Sequence, residues 1–367
     1  MARKLKSDKV LFLATLLLLC LSVVMVYSAS AQIALERFRQ PAYLFLTKQL
    51  LWMALGVALM AIVMKVDYRT YRQPVFFWSL AAVVVLALVA VLFSPPTKGA
   101  SRWFSLGGIG IQPSEMAKLA AVVFIAAVLE RRAHRINDLG YSMPPIALVL
   151  GVMVALVYVE PDFGTAMAIM LIAAVMIFAA GLSYAYLVTL TLTAGPVIAI
   201  LLLRTPYRRE RLQAFLDPWS DPLHQGFQII QSWIAIGSGG LWGRGLMSSV
   251  QKLFYLPEPH TDFIYSVIAE ELGLLGATGV LLCFCVIAWR GFRTAVTAPD
   301  AFGALLAVGL TTMIVAQALL NMSVVLGLLP TKGIPLPLVS AGGSSLVINL
   351  VGVGVLLNVS QQASAAT

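Results

Sequence analysis

Apolar runs about as long as a membrane is thick recur along nearly the whole chain. They fall near residues 10–29, 45–64, 75–94, 113–130, 144–159, 163–181, 184–203, 263–289, 302–327 and 344–359, about ten in all. A hydrocarbon core needs about 20 apolar residues per helix. The chain therefore reads as an all-α polytopic membrane protein of about ten transmembrane helices, one integral domain over 1–367. Composition agrees: 60% of residues are hydrophobic and 11% charged, against about 25% charged in a soluble domain. The first run follows Arg3, Lys4, Lys6 and Lys9 and so opens like a signal peptide. It is too long for one and lacks a convincing cleavage site, which makes it an uncleaved first span.

The formal charge of +9 does not point to nucleic acid, because the basic residues lie mostly in short segments between apolar runs, where they set topology. With the N-terminus in the cytoplasm, the inside segments hold Lys65, Arg69, Arg72, then Arg131, Arg132, Arg135, then Arg290 and Arg293. The short outside loops hold about half as many, and although residues 204–261 carry Arg204, Arg208, Arg209, Arg211, Arg244 and Lys252, loops of that length translocate largely regardless of charge. Both termini are therefore expected in the cytoplasm, at the cytoplasmic (inner) membrane. Residues 204–261 then form one large extracytoplasmic loop between spans 7 and 8. Within it, Phe227, Ile230 and Ile234 recur at helical spacing beside Trp233, predicting a short amphipathic helix on the outer leaflet. The glycines from Gly237 to Gly245 are expected to break it. Cys20, Cys283 and Cys285 all fall inside apolar runs and imply neither a disulfide framework nor a metal site.

Polar groups gather at the outer ends of the spans. Tyr255-Leu-Pro-Glu-Pro-His-Thr-Asp262 puts Glu258, His260, Thr261 and Asp262 at the mouth of span 8, with Glu270 and Glu271 further in. Ionisable groups at membrane depth are costly, so each is a candidate functional residue. Asp262 fits two roles, a catalytic carboxylate or a partner for the helix dipole. Before span 4, Arg102-Trp is followed by Gln112-Pro-Ser-Glu-Met-Ala-Lys118. There Ser114 suits an N-cap, while Glu115 and Lys118 share a helix face as either a self-contained ion pair or part of a site. In Glu160-Pro-Asp-Phe-Gly-Thr165, Asp162 either caps a helix or serves a site. Residues 329–345 are apolar but full of prolines and glycines. This predicts a re-entrant-like loop before span 10, buried in protein or lining a wet cavity. Its Lys332 is either a snorkelling lysine or a ligand.

All these groups, with Arg204, Arg208, Arg209 and Arg211, face one side of the membrane. That arrangement suits an outer-rim active centre for a substrate bearing phosphates and a hydroxyl to activate, with cations or a divalent metal on the diphosphate. By helix geometry Glu270 can share a cavity wall with Asp262, and Glu271 points elsewhere. The alternative is a lipid transporter, for which Glu270 and Glu271 are the nearest thing to a midplane pair, although no internal repeat is visible.

Taken together, His260-Thr-Asp-Phe with Glu-Glu-Leu-Gly273, Gln112-Pro-Ser-Glu-Met-Ala-Lys118, Glu160-Pro-Asp-Phe-Gly-Thr-Ala166, and Pro330-Thr-Lys-Gly-Ile-Pro-Leu-Pro-Leu with Gly-Gly-Ser-Ser345 resemble the SEDS (shape, elongation, division, sporulation) family of bacterial cell-wall proteins. Arg211-Leu-Gln-Ala-Phe-Leu-Asp-Pro-Trp-Ser-Asp221 and Gln251-Lys252 look like its division branch more than its elongation branch. The resemblance implies a ten-span peptidoglycan glycosyltransferase that polymerises lipid II, an undecaprenyl-diphosphate-linked substrate, at the outer membrane face. A class B penicillin-binding transpeptidase and other division proteins would be its partners, and a lipid II flippase is the alternative function. Asp262 falls on the family's catalytic aspartate. Arg102, Glu115, Lys118, Asp162, Glu270 and Lys332 fall on its other polar motifs, with Arg204, Arg208, His260 and Ser344 as further substrate-binding or cavity-supporting candidates. No organic cofactor is implied. If Mg²⁺ or Mn²⁺ takes part, Asp262 is its candidate ligand. One departure is visible: Ser340-Ala-Gly-Gly-Ser-Ser345 carries an alanine where the family usually has a tyrosine.

Overall fold

The computed structural model describes residues 7–95, 101–106, 109–204, 206–224, 226–253 and 256–366. Arg3, Lys4, Lys6 and Tyr255, named above, lie outside them, as does the side chain of Arg208. The helices are α1 (Lys9–Glu36), α2 (Leu44–Val63), α3 (Pro74–Val91), α4 (Pro113–Arg132), α5 (Leu139–Ser142), α6 (Pro144–Val159), α7 (Phe163–Ala179), α8 (Tyr184–Arg204), α9 (Pro206–Leu216), α10 (Phe227–Gly239), α11 (Ile264–Thr297), α12 (Ala301–Val325) and α13 (Gly343–Ala366). The ten predicted spans are α1 to α4, α6 to α8 and α11 to α13. Ahead of α4, β1 (Phe104–Leu106) pairs antiparallel with β2 (Ile109–Ile111), Phe104 opposite Ile111. Three-residue strands are too short to show an alternating pattern, so this hairpin was not legible in the sequence.

Six helices, α1, α2, α3, α11, α12 and most of α13, are long and apolar enough to cross a membrane, and α6 and α7 are apolar but shorter. Helix α4 is different. It carries Glu115 and Lys118 near its start and Arg131 and Arg132 at its end, yet its side chains from Ala117 to Leu129 are almost all buried. Neighbours α3, α6, α7, α12 and α13 surround it. Its alanines allow close approach, and close packing is what holds helices together where the solvent is as apolar as they are. Helices α4, α12 and α13 are thus the core, wrapped by helices that meet the lipid.

Among the described residues, the large loop holds two α-helices, α9 and the predicted α10. Helix α10 runs through Gly237 to Gly239 and buries Ile229, Ile230, Ser232 and Ala235. Ser232 Oγ lies 2.8 Å from Ser266 Oγ and donates to Val325 O at 2.6 Å. The helix therefore packs on α11 and α12, and Ile234 of the predicted lipid face stays exposed. Helix α11 is broken at Gly273 (φ 66°, ψ −164°), a left-handed φ that glycine adopts without penalty. At the break, Arg244 N and Gly245 N donate to Glu270 O and Glu271 O (2.9 and 3.0 Å), and Leu274 N donates to Gly240 O (2.9 Å). The interrupted helix ladder is completed by the loop, as backbone at membrane depth requires.

Residues 330–342 have no helix, and their backbone is tied into protein. Ser340 Oγ donates to Thr261 O (2.6 Å) and accepts from Leu336 N (2.8 Å). Ala341 N donates to His260 O (2.9 Å), and Ser22 Oγ to Val339 O (2.8 Å). The re-entrant segment and the approach to α11 are thereby stitched into one wall.

Candidate active site

A cavity of about 580 Å³ opens at the end of the bundle where these segments meet. Its lining includes Arg102, Trp103, Gln112, Glu115, Lys118, Asp162, Glu258, Asp262, Gln317 and Gly333. Five candidates, Arg102, Glu115, Lys118, Asp162 and Asp262, thus converge from separate parts of the chain. Helix α11 begins at Ile264 with Phe263 as its N-cap, so Asp262 is not the capping residue. It projects from the loop, and Gly333 leaves it room: a Cβ at 333 would stand 3.0 Å from Asp262 Oδ2.

The other polar groups are held by one another. Lys118 Nζ is 2.9 Å from Glu115 Oε2, both side chains being almost fully buried, and it also donates to Gln317 Oε1. Asp162 does both things its sequence allowed. Its Oδ1 caps α7 by accepting from Thr165 N at 3.2 Å, while Oδ2 accepts from Thr165 Oγ1 (2.8 Å) and Gln112 Nε2 (3.1 Å) at the cavity. Ser114 is not an N-cap: Pro113 takes the first helical position and Gln112 the cap, because proline's fixed φ and missing N–H suit that place. Arg102 Nε and Nη2 donate to Glu160 O (2.7 Å) and Pro161 O (2.6 Å), which aims the guanidinium along the turn before α7. Glu160 is buried, and among the described residues neither carboxyl oxygen has a hydrogen-bond partner. Burial, then the charge of Asp162, push it up to about 8 in spite of Arg102.

Among the described residues, four acids, Glu115, Asp162, Glu258 and Asp262, and two cations, Arg102 and Lys118, line the cavity. The cation-rich hollow expected from the sequence is therefore an acidic one. Arg204 is exposed at the end of α8 and does not line it, and the side chain of Arg208 lies outside the described residues. Arg211 Nη1 reaches Thr331 O (3.0 Å) and so braces the re-entrant segment. Lys332 flanks the cavity, its ammonium 4.6 Å from the Phe163 ring centroid. His260 is buried with its ring 4.6 Å from that of Phe45. Ser344 Oγ accepts from Gln112 N at 3.3 Å.

Glu270 does not share the cavity wall. It is fully buried, accepting from Val250 N (2.9 Å) and Ser249 Oγ (2.5 Å) and pairing with Arg244 (3.5 Å). Glu271 is likewise buried, held by Lys252 Nζ (2.6 Å) and Ser28 Oγ (2.6 Å). The break at Gly273 lets residues 244–252 fold over this part of α11, and the two carboxylates clamp that segment. The carrier reading leaned on them as a midplane pair, and in the fold they are already spent. Gln317 and Asn321 are site-region residues that the sequence reading missed. Their signal was two amides four residues apart in an apolar run.

The model of the FtsW/RodA/SpoVE family, described as cell cycle proteins, matches residues 8–365. The chain is 42% identical over 362 residues to the probable peptidoglycan glycosyltransferase FtsW of Geobacter sulfurreducens, covering 98% of this chain and 97% of that one. It is 43% identical over 364 residues to stage V sporulation protein E of Bacillus subtilis, covering 98% of each. Among solved structures, a chain from a peptidoglycan synthase complex that coordinates polymerization and crosslinking aligns with TM-score 0.80 and 31% identity, covering 98% of this chain and 99% of that one. The rod shape determining protein RodA of Thermus thermophilus aligns with TM-score 0.71 and 28% identity, covering 97% of each. The shared helical frame, the matching motifs and identity along almost the whole length place this chain in the FtsW/RodA/SpoVE family, the SEDS proteins.

Proposed function

We propose that the chain is a peptidoglycan glycosyltransferase of the division type that polymerises lipid II at the outer face of the cytoplasmic membrane, with Asp262 as its general base. Both termini are then cytoplasmic, in keeping with the basic segments on that side. The observation that carries the reading is the convergence of Asp262, Arg102 and Lys118 on one cavity. A hydroxyl of one lipid-linked sugar gives its proton to the Asp262 carboxylate. Its oxygen bonds to the anomeric carbon of the growing strand as the bond to the undecaprenyl diphosphate breaks. This single displacement inverts the anomeric centre. Arg102, fixed by two carbonyls, would meet the charge gathering on the departing diphosphate.

Two cations among four acids leave a diphosphate short of positive charge. Among the described residues no three His, Cys, Asp or Glu side chains come together to hold a metal alone. Mg²⁺ is commonly held by one or two carboxylates and substrate phosphates, and the donors here fit that pattern, with Asp262 as the protein ligand. Such an ion would neutralise the leaving group's charge. The partner would be a class B, FtsI-like penicillin-binding transpeptidase. The test is strand synthesis on lipid II by Asp262→Asn purified with that partner: a loss of about 10²- to 10⁴-fold is expected, and wild-type-like polymerisation would remove Asp262 from the role.

A further inference from the structure

Gln317 and Asn321 lie four residues apart on α12, one turn from each other on the same face. Gln317 lines the cavity, holding Lys118 through its Oε1 and Pro335 O through Nε2 at 3.0 Å. Asn321 is buried and does not line it. Its Nδ2 donates to two carbonyls, Asp262 O and Ile334 O, each at 2.7 Å. Neither segment is helical at that point, so neither has a helix ladder to set its position. A carboxamide suits the task because it is neutral and carries two hydrogens on one nitrogen. A hydroxyl has one donor and a carboxylate none. Gly333, the neighbour of the tethered Ile334, is the residue against the Asp262 carboxylate.

We propose that Asn321 is a positioning residue for glycosyl transfer. By pinning Asp262 and Ile334 to α12, one turn from the amide that holds Lys118 and Pro335, it fixes where the base stands relative to the Lys118–Glu115 pair. This rests on the assignment of Asp262 as base. Displacing a reacting group by about 1 Å can cost about 10²-fold in rate, whereas substrate affinity, set by other contacts, changes little.

The experiment compares full-length Asn321→Leu and Asn321→Ser with Asn358→Ala, all with the transpeptidase partner and lipid II. Asn358 is a buried amide at the far end of the bundle, bonded to Met64 O (2.9 Å) and Tyr68 N (3.0 Å), and it controls for simple loss of stability. The serine variant, which leaves one donor, covers the case in which the leucine variant does not fold. The expected result is a kcat about 10- to 100-fold lower at Asn321 with KM nearly unchanged, while Asn358→Ala keeps its kcat for a similar fall in Tm. Asn321 variants that melt earlier yet turn over at the wild-type rate would overturn the proposal. Slow Asn321 variants beside a fully active Asp262→Asn chain would also overturn it, since the effect would then not pass through Asp262.

Discussion

Glu160 shows how one side chain registers its surroundings. With its pKa raised to about 8 from the usual 4.5, it is mostly neutral at pH 7. The folded state therefore holds a proton that the unfolded chain releases, and stability should fall as pH rises from about 4.5 towards 8. Glu160→Gln, neutral throughout, should flatten that slope in Tm measured against pH. An unchanged slope would place the titration elsewhere. Lys118 and Glu115 make the opposite case, a buried pair in which each charge exists for the other. Lys118→Met should destabilise by about 3–5 kcal/mol, because it strands a buried carboxylate, and Lys118→Met with Glu115→Gln should recover much of the loss. Chemical denaturation of the three chains reads this directly.

At the scale of elements, two departures from regular structure shape the site. The break in α11 needs a left-handed residue at 273, with backbone atoms of Leu241 close by. Gly273→Ala should therefore unseat residues 240–252 and cost folded protein, visible as a lower Tm and faster proteolysis within that loop. In the re-entrant segment Gly333 abuts the Asp262 carboxylate at a distance that leaves a Cβ only 3.0 Å from Oδ2. Gly333→Ala should leave Tm nearly unchanged while lowering kcat about 10-fold or more, since a displaced base loses much of its effect. Equal rates in the two chains would mean that the carboxylate has room to move without consequence. Most of the spans were legible because a long apolar run favours a spanning helix, six of them by length and composition alone. The re-entrant-like loop before α13 was legible too, from its prolines and glycines, whereas its hydrogen-bond partners, the break in α11 and the hairpin before α4 were not, since each depends on partners elsewhere in the chain.

For the whole molecule, the polar ends of α4, α7 and α11 and the re-entrant segment all lie at one end, and Arg290 pairs with Asp8 (2.6 Å) at the other. A single cysteine at exposed His224 should react with an impermeant thiol reagent added outside cells, and one at exposed His134 only after lysis. The reverse pattern would invert the orientation. The acidic cavity predicts that chelating divalent ions lowers polymerisation and that Mg²⁺ or Mn²⁺ restores it, measured on lipid II. Sequence by itself determined the class of fold, the number of spans and the family. Hydrophobic length acts locally, and long motifs can be read without coordinates. It also named Asp262, Arg102, Glu115, Lys118 and Asp162, which are among the residues that line the cavity. Only tertiary structure decided that Glu270 and Glu271 clamp a loop, that acids outnumber cations around Asp262, and that Asn321 tethers it. Those outcomes depend on which distant backbone groups meet each side chain, and helical spacing carries no record of that.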